Sequence, residues 1–522
     1  MLPLALSTLT ALAIAAEPVP PMDYVIRNAT LYDGTGKPGM KGDIALAGAR
    51  IAAIGTFELT GKPAIIDGTG LFVAPGFIDL HTHCDTGENP LTGPAGRANK
   101  CYLMQGVTTA VTGNCGSGPT DLKDFFGKLE ANGVGTNVIH QAPHNSIRTR
   151  VLGNANRAPT ADELAKMEAI VDELMKDGAW GLSTGLIYTP GTYARTDEII
   201  ALAKVAARHG GFYASHIRDE GTGLLVAIEE ALRIGREAGL PVHVSHIKCS
   251  GRRAWDKAAD AIALIEDARK KGQVVSADQY PYIASSTSLS ATVIPTQFRE
   301  GSPKEYRARL DDPEKGLHIR KAVEERLGGR DGGKSIQIAR YRSNPQWQGQ
   351  TLAAIALAEK KEPAEIVLEI ERNGGASVVN FGMKEDDVRL YMKQLFVATA
   401  SDGSSQVPGE TVPHPRSYGT FPRKIGRYAI EDGVIPLEQA IRSSSGLPAD
   451  ILRLKDRGYL KPGYYADVVV FDPKTYRDKA TFDKPHQYAE GVRYLFVNGK
   501  AVIADGKYLD VLAGKPLRLG AK

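Results

Sequence analysis

Six residues with metal-binding side chains stand at or near the ends of apolar segments of the sequence. Two of them are histidines two residues apart in "GFIDLHTHCD", and each of the others belongs to a separate apolar segment. The six are His81, His83, Cys115, His216, His246 and Asp402. Imidazole, thiolate and carboxylate side chains together form a ligand set that suits Zn²⁺ best. Because zinc in such a set activates water, the residue types predict a hydrolytic metal centre.

Each of these residues has an ordinary structural explanation when it is taken alone. A single histidine at a strand end is usually structural, and Cys115 could be a small buried apolar residue. Asp402 stands before Gly403 and could be a turn residue. If every one of these structural explanations were correct, six residues with metal-binding side chains would stand at strand ends and still not meet at one site. Their positions therefore favour a shared metal site, provided that the strands end on one face.

The middle of the sequence predicts the elements that would bring these residues together. Eight apolar, β-rich segments alternate with amphipathic segments of helical period, which predicts βα units around a parallel sheet. The expected fold class is α/β, a (β/α)8 TIM barrel over about residues 74–455. The carboxyl ends of barrel strands form one face that carries the chemistry. His81 and His83, two apart on a strand, are expected to point to the same side, the barrel interior.

Two further units complete the predicted architecture. The segment between Tyr280 and Asp402 is too long for one helix, so we predict an inserted subdomain over about residues 286–395. Such insertions usually cover the active face. Short strand patterns over residues 22–73 and 456–522 predict a small composite β-sandwich domain built from both chain ends.

The first residues, "MLPLALSTLTALAIAAEPVPP", contain an apolar stretch that ends in small residues. This pattern resembles a secretory signal peptide over residues 1–16 and predicts an exported, periplasmic protein. The lack of Lys or Arg before the stretch favours the alternative, a disordered or misassigned start and a cytoplasmic protein. No other stretch of the sequence is long enough to span a membrane.

Length and composition limit the other classes of function. The 522 residues suffice for a large barrel with an accessory domain. A net charge of +4, with no basic run interleaved with aromatic residues, gives no indication of nucleic-acid binding. The four cysteines are too few for a disulfide framework in a chain of this length.

The "PGFIDLHTH" motif, the strand-end histidines and the aspartate of the last strand together resemble the amidohydrolase superfamily. The motifs "TGNCG", "GLIYTPG", "SHIRDE", "VSHIK", "DQYPYIASST" and "HPRSYGTFPR" resemble its D-aminoacylase (N-acyl-D-amino-acid deacylase) branch more closely. Hydantoinases and dihydroorotases use a carboxylated lysine on the fourth strand, where this sequence reads "WGLSTGLIYTP" without a lysine. The D-aminoacylase branch has a cysteine on the second strand instead, and Cys115 occupies that position.

The resemblance implies the role of each metal ligand. Cys115, His216 and His246 would hold one zinc ion tightly. His81 and His83 would form a second, weaker site that shares Cys115.

The resemblance also implies the reaction, which is zinc-dependent hydrolysis of N-acyl-D-amino acids to a carboxylate and a free D-amino acid. Asp402 would take a proton from the attacking water and return it to the leaving nitrogen. Arg416, Lys248 and Tyr188 are the candidates for binding the substrate α-carboxylate. Arginine suits this role because its planar guanidinium pairs with a carboxylate through two hydrogen bonds.

The side-chain preference of the substrate depends on one segment. By resemblance, members that cleave acidic substrates place a basic residue after "YPY". Here "IASSTSLSATVIPTQF" contains no Lys or Arg before Arg299, so we expect neutral or apolar side chains. The inserted subdomain could still supply a cation, for example from "ARYRSNPQW".

Several alternatives stay open at this point. The same centre could hydrolyse a dipeptide, a cyclic amide or a lactone. A non-catalytic assembly protein of this fold would lack metal ligands, and all of them are present here. The only partner expected is a small-molecule substrate, with no nucleic acid and no membrane. The sequence gives neither the oligomeric state nor the roles of His140 and His144, and the preference for D over L substrates rests on the resemblance.

Overall fold

The computed structural model describes residues 20–520. The signal peptide predicted over residues 1–16 lies outside the described residues. None of the described helices combines the length and the apolar composition that a membrane crossing requires. The architecture is α/β, because parallel strands alternate with helices through the middle of the chain.

The middle of the chain contributes parallel strands that we number central strands 1 to 8. In chain order they are Phe77–Asp79, Val107–Thr112, Asn137–His140 with Ala142–Pro143, Gly181–Gly185, Phe212–His216, Val242–Val244, Val275–Gln279 and Val397–Thr399. Each pairs in parallel with the next one. A parallel bridge between Thr82 and Gly403 joins the segments that follow central strands 1 and 8. All residues of these strands are buried, as expected for a parallel sheet covered by helices.

Helices stand between the central strands and after the last of them. They are Lys100–Leu103, Leu122–Asn132, His144–Leu152, Ala161–Lys176, Thr196–Arg208, Leu224–Ala238, Ala258–Lys270, Glu385–Met392, Arg416–Pro422, Leu437–Ser444 and Gly446–Leu452, with a π-helix at Arg423–Glu431. Local sequence fixes where several of them begin. At the start of Ala161–Lys176, the Thr160 hydroxyl accepts from the Glu163 amide at 3.3 Å. The Glu163 carboxylate accepts from the Thr160 amide at 2.7 Å, which completes a capping box.

Both ends of the chain contribute to one nine-stranded sheet of the described structure. Its strands are Tyr24–Leu31, Met40–Ala47, Arg50–Ile54, Ala64–Asp67, Phe72–Pro75, Val468–Phe471, Val492–Val497, Lys500–Ala504 and Lys507–Tyr508. Phe72–Pro75 pairs antiparallel with Val468–Phe471 and joins the two ends. The "NGK" segment forms the tight turn that its sequence predicts, because Asn498 and Gly499 both adopt positive φ.

A smaller α+β unit interrupts the chain between central strands 7 and 8. Its strands Ala284–Ser288, Ile336–Arg340 and Ser377–Phe381 form an antiparallel sheet. Its helices are Leu289–Val293, Pro303–Asp311, Pro313–Gly328, Leu352–Glu359 and Pro363–Arg372. These elements share a separate cluster of buried apolar residues. The helix Glu385–Met392 lies inside the range expected for the insertion but packs on the central helix Ala258–Lys270.

Candidate metal centre and active site

The six metal-binding candidates lie together at the carboxyl ends of the central strands. Their ligand atoms form two groups, in each of which all atoms lie within 4.8 Å of one another. One group contains His81, His83, Cys115 and Asp402, and the other contains Cys115, His216 and His246. Cys115 belongs to both groups, so its thiol stands where the two groups meet.

The distances around the Cys115 thiol are those of a metal ligand set. Its Sγ lies 3.2 Å from His81 Nε2, 3.4 Å from His216 Nδ1 and 3.4 Å from His246 Nε2. In a tetrahedral zinc site, Zn–S bonds of about 2.3 Å and Zn–N bonds of about 2.0 Å separate the S and N atoms by roughly 3.5 Å. The residues present therefore fit a zinc ion.

The backbone is strained at three residues of this cluster. Cys115, His246 and Asp402 have φ of 51°, 35° and 51°. Non-glycine residues rarely adopt this left-handed region, and they keep it only where the surrounding structure enforces it. Each of the three residues stands within three positions of the end of a central strand, where the chain turns toward the cluster.

The "TGNCG" loop is held by its neighbours in central strand 4 and in the helix His144–Leu152. The Gly116 amide donates to Ser183 Oγ at 3.1 Å. A Cβ at Gly116 would lie 2.2 Å from Asn145 Oδ1, and Gly116 has φ of 69°. Glycine is therefore required beside the cysteine, which explains why the two residues occur together in the motif.

His81 and His83 follow central strand 1 instead of lying within it, because the strand ends at Asp79. Their rings reach the same cluster but have different partners. His81 Nε2 faces Cys115 Sγ, whereas His83 Nε2 lies 3.1 Å from Asp402 Oδ1. Both rings thus reach the same site, as their two-residue spacing predicts, but they face different partners within it.

Asp402 is held through both of its oxygens. His83 contacts Oδ1, and Arg416 Nη1 donates to Oδ2 at 2.7 Å. Burial alone would raise the pKa of Asp402, but the guanidinium of Arg416 and the neighbouring imidazoles hold it well below its usual range. The carboxylate is therefore ionised at neutral pH and can accept a proton.

Burial sets the protonation states of the ligands. It lowers the pKa of His81 to about 4 and that of His216 well below its usual range, so both imidazoles are neutral and able to bind a metal. Burial also raises the pKa of the Cys115 thiol. The thiol consequently depends on a bound cation to become a thiolate.

The three candidates for substrate binding all lie at the cluster. Arg416 contacts Asp402, and Lys248 Nζ lies 2.8 Å from His246 Nδ1 and contacts Glu220. Tyr188 packs against His216 with ring centroids 4.8 Å apart. Both cations are thus already paired with carboxylates of the protein.

Two buried carboxylates at the cluster were not predicted from the sequence. Glu220 lies 3.0 Å from His246 Nδ1. Asp278 accepts from the His246 amide at 2.7 Å and lies 3.5 Å from His81 Nδ1. The available signals were the "DE" that follows "SHIR" and the "D" of "DQYPY".

His140 and His144 belong to neither ligand group. His140 Nδ1 lies 2.8 Å from Thr112 Oγ1, and its Nε2 lies 3.1 Å from the Pro119 carbonyl oxygen. His144 Nε2 lies 3.0 Å from Glu198 Oε1. Both rings are therefore fixed by other partners at the edge of the site.

Comparison with known proteins identifies the family of this chain. The family model described as "Amidohydrolase family" matches residues 64–312 and 388–503. The D-aminoacylase of Alcaligenes xylosoxydans xylosoxydans is 36% identical over 520 residues, which cover 95% of this chain and 98% of the relative. The chain belongs to the D-aminoacylase branch of the amidohydrolase family. The resemblance inferred from its motifs is thereby confirmed.

Two solved amidohydrolase structures match almost the whole chain. A D-aminoacylase studied for the functional role of its binuclear metal centre is 35% identical, with a TM-score of 0.81, and the match covers 95% of this chain and 100% of that one. The N-acyl-D-glutamate deacylase from Bordetella bronchiseptica, complexed with zinc and a phosphonate inhibitor, is 32% identical, with a TM-score of 0.80 and the same coverage.

Proposed function

We propose that this chain hydrolyses the amide bond of N-acyl-D-amino acids in a zinc-dependent reaction that releases a carboxylate and a free D-amino acid. The observation that carries the proposal is the position of the Cys115 thiol within 3.4 Å of imidazole nitrogens of His81, His216 and His246. An ionised carboxylate, Asp402, completes the same cluster. The relatives named D-aminoacylase and N-acyl-D-glutamate deacylase support this activity.

Three ligands of this chain, Cys115, His216 and His246, would hold the tighter zinc ion. His81 and His83 would contribute a second, weaker site that shares Cys115. When bound, zinc supplies Lewis acidity toward the amide carbonyl and toward water.

Asp402 performs the proton transfers in this proposal. Its Oδ1 accepts a proton from the attacking water, and the same carboxyl group then donates the proton to the leaving nitrogen. His83 and Arg416, which contact its two oxygens, fix its orientation. The strained backbone at Asp402 keeps the carboxylate directed at the cluster.

Substrate orientation is assigned to Arg416 and Tyr188, with Lys248 as the further candidate from the sequence. The guanidinium of Arg416 is buried and reaches Asp402, so an α-carboxylate bound to it would lie beside the proton acceptor. The Tyr188 hydroxyl, which accepts from Thr287 at 3.0 Å, can donate its own proton to a substrate oxygen.

The proposal of a neutral or apolar substrate side chain is supported by the ion pairs that two arginines of the inserted segment form within the protein. Arg340 and Arg342, the arginines of "ARYRSNPQW", form ion pairs with Glu88 at 2.7 and 3.0 Å. Arg299 donates to the Ile187 carbonyl oxygen at 3.4 Å. Arg340 and Arg342 are therefore paired with a carboxylate of the protein, whereas the Arg299 side chain contacts only a neutral carbonyl oxygen, and its Nε has no hydrogen-bond partner within the described residues.

We interpret the central strands as a closed (β/α)8 barrel of the TIM type over about residues 74–455, with an insertion that runs from Ala284 to Phe381. The bridge between Thr82 and Gly403 supports closure. We interpret the strands of residues 22–73 and 456–522 as a composite β-sandwich. An N-terminal signal over residues 1–16 and a periplasmic location remain part of the proposal, supported by the sequence pattern alone.

The decisive experiment is a hydrolysis screen of purified, zinc-loaded protein with N-acetyl-D- and N-acetyl-L-amino acids. We expect cleavage of the D-Leu, D-Met and D-Phe derivatives. The variant Asp402→Asn should lose about 10²- to 10⁴-fold of this activity while it keeps its zinc, because it loses the proton acceptor but not a ligand of the tighter site.

Two outcomes of the screen would contradict parts of the proposal. Cleavage of only D-Glu or D-Asp derivatives would keep the reaction and refute the apolar side-chain pocket. Retention of zinc without hydrolysis of any N-acyl amino acid would refute the deacylase function and favour dipeptides, cyclic amides or lactones.

A further inference from the structure

The loop that carries Cys115 wraps around the ring of a buried histidine. Residues 113–119, which we call the cysteine loop, follow central strand 2, and His140 lies in the adjacent central strand 3. His140 is fully buried. A Cβ at Gly113 would lie 2.9 Å from its Cε1, and a Cβ at Gly118 would lie 3.0 Å from the same atom. The imidazole ring therefore lies between the two ends of the cysteine loop.

Hydrogen bonds join the same ring to the chain on both sides of Cys115. His140 Nδ1 lies 2.8 Å from Oγ1 of Thr112, the last residue of central strand 2. Its Nε2 lies 3.1 Å from the carbonyl oxygen of Pro119, the last residue of the cysteine loop. The ring thus forms a short cross-link across the segment whose thiol belongs to both ligand groups.

The donor in each bond follows from the chemistry of the partners. A carbonyl oxygen only accepts, so Nε2 carries the proton that reaches Pro119. Burial lowers the pKa of His140 to about 4, so the ring is neutral at neutral pH and Nδ1 is an acceptor. The Thr112 hydroxyl therefore directs its proton to Nδ1, although the Ile139 carbonyl oxygen also lies 2.9 Å from it. Asp85 Oδ2 lies 3.8 Å from Nδ1, beyond hydrogen-bond distance.

The two bonds of the ring restrain different parts of the chain. Thr112 pairs with His140 in the parallel ladder of central strands 2 and 3, so its backbone is already fixed. Pro119 lies beyond Cys115 and has no backbone N–H with which to bond. The bond from Nε2 therefore ties the far side of the cysteine loop to a rigid strand. The Cys115 backbone, at φ of 51°, needs such a restraint, because an unfavourable conformation persists only where its surroundings enforce it.

Three further side chains bond the cysteine loop through its backbone amides. They are Asp85 at the Gly113 amide, Ser183 at the Gly116 amide and Ser146 at the Gly118 amide, at 3.0, 3.1 and 3.1 Å. These bonds remain when one bond of His140 is lost. We therefore expect that loss to displace Cys115 without unfolding the loop.

We propose that His140 is a positioning residue of the metal centre and that its bond to Pro119 holds the Cys115 thiol toward the other ligands. His140 itself belongs to neither ligand group. Side chains that support a ligand tune metal affinity, because a ligand held loosely or out of place binds the metal more weakly. The inference deepens the proposed function and rests on it only in taking zinc as the metal that Cys115 binds.

Two variants of His140 separate the two bonds of the ring. The amide of His140→Gln extends to about the position of Nε2 and can donate to Pro119, whereas the shorter His140→Asn ends at about the position of Nδ1 and cannot. Zinc affinity is measured by competition with a chromophoric chelator, without substrate. We expect His140→Asn to bind zinc about 10- to 100-fold more weakly than the parent, and His140→Gln to stay within about threefold of it.

Cobalt substitution provides a second measurement that reports on the cysteine itself. The thiolate-to-cobalt absorption band arises from the bond between Cys115 and the metal. It should shift or weaken in His140→Asn and match the parent in His140→Gln. A histidine that served packing alone would give both variants the parental zinc affinity and the parental band, and only their stability would fall.

Two results would overturn the proposal. One is parental zinc affinity with an unchanged cobalt spectrum in His140→Asn. The other is zinc binding by His140→Gln that is no tighter than that of His140→Asn, because the bond to Pro119 would then have no effect. If His140→Asn fails to fold, His140→Met takes its place, since Met has nearly the shape of Gln without the amide. Zinc binding by His140→Met as tight as that of His140→Gln would equally refute the proposal.

The matched control is His486, which has the same kinds of partner. Its Nδ1 lies 2.9 Å from the Tyr418 hydroxyl, and its Nε2 lies 2.8 Å from the Thr411 carbonyl oxygen. Both partners lie outside the cysteine loop, so His486→Asn and His486→Gln should bind zinc with parental affinity. A loss in His486→Asn as large as in His140→Asn would overturn the proposal.

The failure of this inference is distinguishable from that of the proposed function, because affinity is measured without substrate. A parent that binds zinc but cleaves no N-acyl-D-amino acid would refute the deacylase activity and leave the comparison of the His140 variants intact.

Discussion

Two buried groups of three residues have nearly the same composition and different surroundings. The metal-side trio contains His246, Glu220 and Lys248, and the helix trio contains His144, Glu198 and Arg148. In each, a carboxylate lies 3.0 Å from a histidine nitrogen and also contacts a cation, through the same oxygen in Glu220 and through the second oxygen in Glu198. The helix trio links the helices His144–Leu152 and Thr196–Arg208, whereas the metal-side trio links loops after two central strands.

The difference between the trios is the group that faces the second histidine nitrogen. His246 Nε2 lies 3.4 Å from the Cys115 thiol, but His144 Nδ1 lies 3.2 Å from the Asn145 side-chain oxygen. An amide oxygen can only accept, so it completes the hydrogen bonding of the ring. A thiol that becomes a thiolate forms a metal ligand pair with the ring. A histidine, a glutamate and a cation are therefore structural in one place and lie beside the candidate metal ligands in the other.

The strongest way to test the difference is to remove the thiol. Cys115→Ser should reduce bound zinc, measured per protein by atomic emission, to a small fraction of the parental value, because both ligand groups lose their shared member. Hydrolysis of an N-acetyl-D-amino acid should fall by about 10³-fold, the equivalent of several kcal/mol of lost transition-state stabilisation. The buried Cys101, which lies in the helix Lys100–Leu103, provides the control. If Cys101→Ser lost as much zinc, the assignment of Cys115 would be wrong.

The candidate metal ligands could be predicted from the sequence, whereas the buried carboxylates beside them could not. His81, Cys115 and Asp402 could be recognised because rare residue types follow apolar segments with the spacing of βα units. Glu220 and Asp278 could not be recognised, because their contacts depend on which loops meet beyond the central strands. Charged residues in loops are also common, so their residue types gave no signal.

Two other features could not be predicted from the sequence: the carboxylates with which two cations pair, and the surface on which one helix packs. Arg416 and Lys248 have the residue types that bind carboxylates, but only the structure pairs them with Asp402 and Glu220. The alternation of strands and helices followed from hydrophobic period. The surface on which the amphipathic helix Glu385–Met392 packs could not be predicted in this way. The hydrophobic period identifies the apolar face of a helix but not the element against which that face packs.

The helix trio should affect stability and not metal binding. Glu198→Ala leaves Arg148 buried without its carboxylate, so we expect the free energy of unfolding to fall by about 3–5 kcal/mol. Denaturant unfolding of the zinc-loaded protein measures this loss, and chelator competition on the folded variant measures zinc affinity. A fall in zinc affinity of about tenfold or more would abolish the distinction between the two trios.

A third buried carboxylate, Glu371 of the inserted unit, shows what happens without a directly bound cation. Its Oε2 accepts from the Tyr306 hydroxyl at 3.1 Å, and its Oε1 has no partner within the described residues. Burial raises the pKa of Glu371 to about 7. For Glu198, burial acts in the same direction, but His144 and Arg148 lower its pKa below the ordinary value.

This contrast predicts that the contributions of Glu371 and Glu198 to the free energy of unfolding depend on pH in opposite directions. Because the pKa of Glu371 is raised in the folded protein, its contribution to stability is complete below about pH 4.5 and is lost as the pH rises through about 7. Glu371→Gln removes the buried charge, so the variant should be more stable than the parent by about 1–3 kcal/mol at pH 8 and nearly equal to it at pH 4.5. The contribution of Glu198 has the opposite sign, since its lowered pKa gives stability that is lost as the pH falls through that value. Denaturant unfolding at the two pH values measures the Glu371 effect, and a further measurement below pH 4.5 is needed for the Glu198 effect. An equal difference between Glu371→Gln and the parent at both would show that the carboxyl group does not titrate with folding.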